Sequence, residues 1–287
     1  MSYAERFFTS QDGLRLFYRD YAGPGGGRAP VLCLPGLTRN SRDFDFIAGR
    51  MAGTRRVIAA DLRGRGRSAY DSNYRNYAVP VELFDVLALM TAADAAEAIV
   101  LGTSRGGLIA MAMATMRPTA LKGVILNDIG PELTPTGLRR ILDFVGREPD
   151  HASWEEAAAA TKAANAAGFT DLSDDRWLAF ARARFREDNG RIAPDYDPKL
   201  GDATREAFAA PPKGAPDPWA VFGALAETPA LVLRGANSDL LSEAAVDKMK
   251  AAKPDLETAT VANRGHAPLL DEPEAVAAIE AFLERLG

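Results

Sequence analysis

The chain is predicted to fold as an α/β protein on a mostly parallel sheet with helices on both faces. Three observations predict it. Short apolar runs of strand length, Val31–Leu34, Val57–Ala60, Ala98–Leu101 and Leu121–Asn127, alternate with segments of helix length, the pattern of parallel strands joined by crossover helices. The alternation is interrupted once, near Pro131, and resumes at Ala230. A serine stands on a glycine-flanked junction between a strand and a helix, in Gly102-Thr103-Ser104-Arg105-Gly106.

In order, Glu5–Thr9 and Leu14–Tyr21 alternate polar and apolar residues around Asp12-Gly13, an antiparallel hairpin. The glycines of 23–27 precede a strand rather than a helix, so they read as a surface loop and not a phosphate cradle. Val31–Leu34 leads into Pro35-Gly36-Leu37-Thr38-Arg39-Asn40, and a helix runs from Ser41 to about Met51. After Val57–Ala60 comes a tight turn, residues 61–68, whose Arg63, Arg65 and Arg67 read as solvent-facing or locally paired. Val81–Ala93 carries Leu83, Val86, Leu87 and Met90 on one helical face. Leu108–Ala114 reads as a buried helix that stops before Pro118.

Between Pro131 and Pro218 no strand pattern is evident. Helical patterns (Leu138-Ile141-Leu142-Val145, Trp154–Ala167, Trp177-Phe180-Phe185) give way to turns at Pro194, Pro198, Pro211, Pro212, Pro216 and Pro218. The expected organisation is therefore a core of residues 1–131 and 219–287 with a helical insertion, 132–218. Ala230–Arg234, Ser242–Ala252 with Ser242 as its cap, Leu256–Val261 and Glu272–Leu286 complete the alternation.

A net charge of −5 argues against a general nucleic-acid or anionic-membrane binder, which needs a basic face. No apolar run approaches membrane-spanning length, and the first residues lack the apolar core of a signal peptide. The single Cys33 cannot form an internal disulfide and reads as a buried core thiol. A cytoplasmic protein with a small-molecule substrate is expected; monomer or homodimer is left open. With two histidines and one cysteine there is no cluster to hold zinc, and no metal is expected.

The stretch 102–106 has the G-x-S-x-G pattern of a nucleophile elbow, and its strand–turn–helix setting is the context the motif requires. The neighbours two before and two after the serine must be nearly side-chain-free where strand and helix meet. A serine hydroxyl needs a base, and the base needs an orienting acid. His266 follows the last strand on the edge where strands end. His151 lies in the insertion and is expected to be exposed. Two acids are candidates, Asp239 beyond the strand at 230–234 and Asp128 at the end of the strand at 121–127. The order Ser, acid, His favours Asp239. The N–H groups of Arg105 and Leu37 are the candidate oxyanion donors. The Arg105 side chain reads as a structural ion-pair partner. Trp177, Phe180 and Trp219 are candidate substrate-pocket walls, with packing inside the insertion as the competing reading.

Together these residues resemble the α/β-hydrolase superfamily over essentially the whole chain. Leu34-Pro35-Gly36 is similar to its oxyanion loop, with Pro35 where a histidine is usual. Asp61-x-x-Gly64-x-Gly66-x-Ser68 is similar to the turn after its fourth strand. Gly102–Gly107 is similar to its elbow, Gly235-x-x-x-Asp239 to its acid loop, and Gly265-His266 to its base loop. The 131–218 segment is similar to its cap domain. The resemblance implies an eight-stranded sheet with an antiparallel second strand, a cap between the sixth and seventh strands, and hydrolysis without a metal or organic cofactor. Ser104 separates the chain from the dehalogenase and epoxide-hydrolase members, which carry aspartate at the elbow. The expected activity is cleavage of a small, fairly apolar carboxylic ester, thioester or lactone through an acyl-enzyme. The alternatives are a C–C bond hydrolase of aromatic-degradation type, with Arg105, Arg139 or Arg140 binding a carboxylate, or a non-catalytic ligand binder on the same fold.

Overall fold

Val31–Leu34 and Val57–Ala60 are buried at every residue. Such runs cannot alternate inside and outside, so both faces of their sheet must be covered. The computed structural model, which describes residues 2–210 and 214–287, has that arrangement. Its main sheet contains β1 (Ala4–Thr9), β2 (Arg15–Tyr21), β3 (Val31–Leu34), β4 (Val57–Ala60), β5 (Ala98–Thr103) and β6 (Leu121–Asn127). A separate hairpin follows, β7 (Phe185–Asp188) and β8 (Arg191–Pro194), and then β9 (Ala230–Gly235) and β10 (Glu257–Val261) complete the main sheet. Its eight strands lie in the order β1-β2-β4-β3-β5-β6-β9-β10. β2 is antiparallel to both its neighbours, and the pairings from β4 to β10 are parallel.

The helices are α1 (Asp45–Met51), α2 (Val79–Ala92), α3 (Arg105–Met116), α4 (Pro135–Phe144), α5 (Trp154–Asn165), α6 (Asp174–Arg184), α7 (Leu200–Ala209), α8 (Pro218–Gly223), α9 (Glu243–Ala252) and α10 (Pro273–Arg285). Successive strand residues go to opposite faces. Leu32, Ile58, Val100, Val124 and Val232 pack with α2, α3 and α9. Val31, Val57, Ile99, Ile125 and Leu231 pack with α1 and α10. Each such aliphatic side chain, fully buried, stabilises the fold by about 1.5–3 kcal/mol relative to exposure. Cys33 lies wholly inside the second layer, and burial pushes its thiol pKa up.

α4 to α7 and the β7–β8 hairpin all lie between β6 and β9 in the chain. The hairpin corrects the expectation of a strand-free insertion. Its turn is Asn189-Gly190, with φ of +50° and +76°, the positive-φ pair that a two-residue hairpin turn requires. His151 is not exposed: 5% of it is accessible, its ring meets Phe185 edge-on, and its backbone pairs with Ile192 in both directions. The expected turns at Pro211 and Pro212 lie outside the described residues.

The 61–68 turn differs from expectation at two of its three arginines; Arg67 is half-exposed and pairs with Glu5. Arg63 and Arg65 are buried, and each pairs with a carboxylate of α2. Arg63 makes a bidentate pair with Asp85 and a further bond to Asp71. Arg65 donates to Glu82 at 2.6 Å, and neither side chain is exposed at all. Arg105 donates to the other Glu82 oxygen, also at 2.6 Å. The two guanidinium groups outweigh burial and hold the Glu82 carboxyl below its ordinary pKa, so it stays ionised.

Two outcomes follow. Glu82→Gln leaves Arg65 buried without its counter-charge and should lower the unfolding free energy in urea by about 3–5 kcal/mol; a loss within about 0.5 kcal/mol, the scatter of surface substitutions, would contradict this account. Cys33 should resist a thiol-alkylating reagent in the native protein and react on unfolding, as read by intact mass.

Candidate active site

Ser104 joins β5 directly to α3 and has φ +49° and ψ −109°. A non-glycine residue in such a conformation stores about 1–3 kcal/mol of strain and persists only where its surroundings over-determine it. Here its N–H donates to Asn127 O at 3.0 Å, and its carbonyl accepts from the Gly107 and Leu108 N–H groups. The flanking glycines are steric necessities. A Cβ on Gly102 would come within 2.5 Å of the Gly106–Gly107 peptide, and one on Gly106 within 2.1 Å of Leu34 O. The sharp turn leaves the Ser104 hydroxyl at the head of the sheet, at the N-terminus of a twelve-residue helix.

His266 reaches the same point from the loop after β10. Its Nε2 is 2.9 Å from Ser104 Oγ, and its Nδ1 is 2.8 Å from Asp128 Oδ2. Asp128 is fully buried. Its remaining acceptor capacity is used by the Gly235 N–H at 2.9 Å and the Ser238 hydroxyl at 2.6 Å. Three hydrogen bonds to one carboxylate fix its orientation.

Chain order favours Asp239 as the partner of His266; the structure puts Asp128 there instead. The cause is strand adjacency. β6 lies directly beside β5, so the residue that ends β6 arrives one strand away from Ser104. Asp239 lies farther on, past the turn that Ser238 closes, and both its oxygens accept from Arg140 of α4, at 2.5 and 2.8 Å. Burial works against its charge, but the Arg140 guanidinium outweighs this and holds the carboxyl below the usual range.

Leu37 and Arg105 both stand beside Ser104. The preceding Gly36 lies against the serine: a Cβ there would be 3.9 Å from Ser104 Cβ, and Leu37 and Ser104 line one cavity. Arg105 opens α3, where first-turn N–H groups have no partner within the helix. Its side chain is engaged structurally, with Glu82 and with Tyr77 O. Arg65 completes a bracket, donating to Leu37 O at 2.8 Å as well as to Glu82. One buried carboxylate thus connects the two loops that flank the serine.

A cavity of about 450 Å³ opens over Ser104 and His266. Phe180, Ile141 and Phe144 supply apolar wall, and five arginines, 39, 42, 140, 176 and 184, line it as well. Each is paired, with Asp43, Asp195, Asp239, Asp271 and Glu148 respectively. These arginines were not legible as a group, because they come from α4, from α6 and from the segment before α1. Of the expected pocket aromatics only Phe180 lines the cavity. Trp177 is buried behind it, stacked on Phe180 at 6.0 Å and close to Phe169. Trp219, on α8, packs edge-on against Phe222 in the core layer that contains α3. Among the described residues no three His, Cys, Asp or Glu side chains form a metal-ligand set, and no helix is long and apolar enough to cross a membrane.

Comparison with known proteins agrees with this architecture. The sequence model of the alpha/beta hydrolase family matches residues 31–279. The 3-hydroxybutyrate-oligomer hydrolase of Cupriavidus necator is 33% identical over 276 residues, which span 93% of this chain and 92% of that protein. The 2-(acetamidomethylene)succinate hydrolase of Mesorhizobium japonicum is 25% identical over 84% of this chain and 82% of its own. A crystal structure of an alpha/beta hydrolase from Novosphingobium aromaticivorans superposes with a TM-score of 0.91 at 43% identity, covering 99% of this chain and 98% of that one. The chain belongs to the alpha/beta hydrolase family.

Proposed function

We propose that the protein is a serine hydrolase that cleaves a carboxylic ester through an acyl-enzyme. One observation carries this reading: Ser104, His266 and Asp128 stand in a continuous hydrogen-bonded line, 2.9 and 2.8 Å, on the floor of a cavity. Ser104 Oγ attacks the ester carbonyl carbon while its proton passes to His266 Nε2. Asp128 accepts the Nδ1–H, fixes the tautomer and stabilises the imidazolium. The oxyanion of the tetrahedral intermediate is met by the Leu37 and Arg105 N–H groups and the N-terminus of α3. His266 then returns its proton to the leaving oxygen as the C–O bond breaks. A water molecule attacks the acyl carbon, gives its proton to His266, and the carboxylic acid leaves as Ser104 is restored.

The α4–α6 segment acts as the cap that walls the cavity. Its arginines shift the expected substrate from a fully apolar ester towards one bearing an anionic or strongly polar group. The Cupriavidus necator relative is named for hydrolysing 3-hydroxybutyrate oligomers, and esters of small hydroxy acids are the class to assay first. The same arginines favour one rival chemistry, cleavage of a C–C bond beside a carboxylate. A vinylogous diketone acid turned over faster than any ester would establish that rival.

A fluorophosphonate probe should label Ser104, mapped by mass spectrometry, and labelling should be lost in Ser104→Ala and His266→Ala. Labelling elsewhere, or undiminished labelling of His266→Ala, would sink the reading. Asp128→Asn should lower kcat by about 10⁴-fold, the scale of removing the orienting acid. Asp239→Asn should cost at least about a hundredfold less, because the lost carboxylate does not touch the imidazole. The reverse order in steady-state kinetics would return the acid role to Asp239.

A further inference from the structure

We propose that Arg140, held in place by Asp239, binds a free carboxylate on the leaving-group side of the ester. The substrate class is then an ester whose alcohol portion is itself a hydroxy acid. This rests on the serine-hydrolase reading of the same site.

The inference starts from the carboxylate that does not serve His266. Asp239 grips Arg140 along one edge of the guanidinium, through Nε at 2.5 Å and Nη2 at 2.8 Å. A guanidinium is a planar fork with five N–H donors. Pairing on the Nε edge leaves the end-on edge, Nη1 with the second N–H of Nη2, open to a second carboxylate in bidentate geometry. Among the described residues Nη1 has no hydrogen-bond partner, and unlike several arginine nitrogens elsewhere it is not sealed in the interior. The Arg140 side chain is 36% exposed and lines the cavity that holds Ser104 and His266. It is therefore a cation whose position is fixed before any ligand arrives, which removes much of the ordering cost of binding.

The side of the cavity follows from the neighbours of Asp239. The preceding residue, Ser238, donates to Asp128 Oδ2, the oxygen that faces His266. Arg140 thus belongs to the His266 flank of the cavity. His266 delivers a proton to the leaving oxygen in the proposed reaction, so a charge read on that flank lies in the alcohol portion. In such a substrate the carboxylate meets Arg140 while the ester carbonyl lies over Ser104. After cleavage the hydroxy acid carries both the new hydroxyl and the bound carboxylate.

The anchor is rigid from both sides. The Thr134 hydroxyl caps α4 through the Gly137 N–H and also donates to Asp239 O. A Cβ on Gly137 would stand 2.5 Å from Asp239 O, so α4 lies against that loop. Arg140, one turn further along α4, is carried to the cavity wall by this contact.

The test uses β-butyryloxybutyrate and its carboxamide, which share one ester bond and differ in one charge. The wild-type protein should prefer the acid in kcat/KM. Arg140→Gln should reduce the acid-to-amide ratio by about 10- to 100-fold, the scale of a hydrogen bond to a charged group, and Arg140→Lys should recover part of it. Asp239→Asn breaks the same pair without removing the cation. If the pair served only to fix α4, the two variants would change both substrates alike and leave the ratio unmoved; that outcome, or a wild-type protein that does not prefer the acid, overturns the proposal. A readout without turnover separates this from failure of the serine mechanism. In the Ser104→Ala protein, β-hydroxybutyrate should bind by calorimetry and should lose at least about tenfold in affinity on adding Arg140→Gln. Binding that ignores Arg140 overturns the subsite even if Ser104 is the nucleophile.

Discussion

The site depends on one buried carboxylate. Glu82 accepts from Arg65 and from Arg105 on its two oxygens, and Arg65 also donates to Leu37 O. The 61–68 turn, α2, the loop after β3 and the first residue of α3 are fastened together at that point. A charge without exposure is expensive, and only two guanidinium partners make it tolerable. What the arrangement supplies in return is geometric. The two loops whose N–H groups are the proposed oxyanion donors cannot drift apart without breaking a charge-assisted bond. Preorganisation of this kind matters because donors that need no rearrangement during the reaction are the effective ones. The strain at Ser104 is sustained in the same way, by the hydrogen bonds to Asn127 O, Gly107 and Leu108 that surround it.

Strand adjacency decides where the acid comes from. β6 lies between β5 and β9, so its end faces the serine on one side and the β9 loop on the other. Asp128 uses both: it reaches His266 and is itself held by Gly235 and Ser238 of the β9 loop. That leaves Asp239 free to pair elsewhere, and both its oxygens accept from Arg140 of α4. The segment between β6 and β9 is fixed to the core next to the site and not merely at its two ends.

The cavity walls combine two kinds of surface. Phe180, Ile141 and Phe144 provide contact area, while paired arginines set a polar frame among them. Each pairing lowers the cost of burying a cation without consuming all of its donors, because one guanidinium can serve two acceptors. In the proposed reaction such a wall would receive an apolar stem and a charged end of the substrate.

How much of this was legible beforehand can be argued residue by residue. The G-x-S-x-G turn, the strand before it and the helix after it identify Ser104 locally, since the constraint is local: backbone strain and the lack of room for a Cβ at Gly102 and Gly106. The position of His266 follows from chain order and from the scarcity of histidines. The Asn189-Gly190 turn of the β7–β8 hairpin was a visible signal that the helical periodicity around it obscured. The choice between Asp128 and Asp239 was not local. Both end parallel strands in the same sheet, and spacing along the chain cannot say which strand lies next to β5 or where a side chain points after a turn. The burial of Arg63, Arg65 and Glu82 was equally invisible, because polar residues look exposed until tertiary packing brings their partners together. The sequence by itself determined the sheet's alternation, the strained serine and the candidate base, all of which rest on short-range sterics and periodicity. Only the tertiary structure decided which carboxylate meets the histidine and which meets the arginine, since those pairings depend on the lateral order of strands and on long-range electrostatic complementarity.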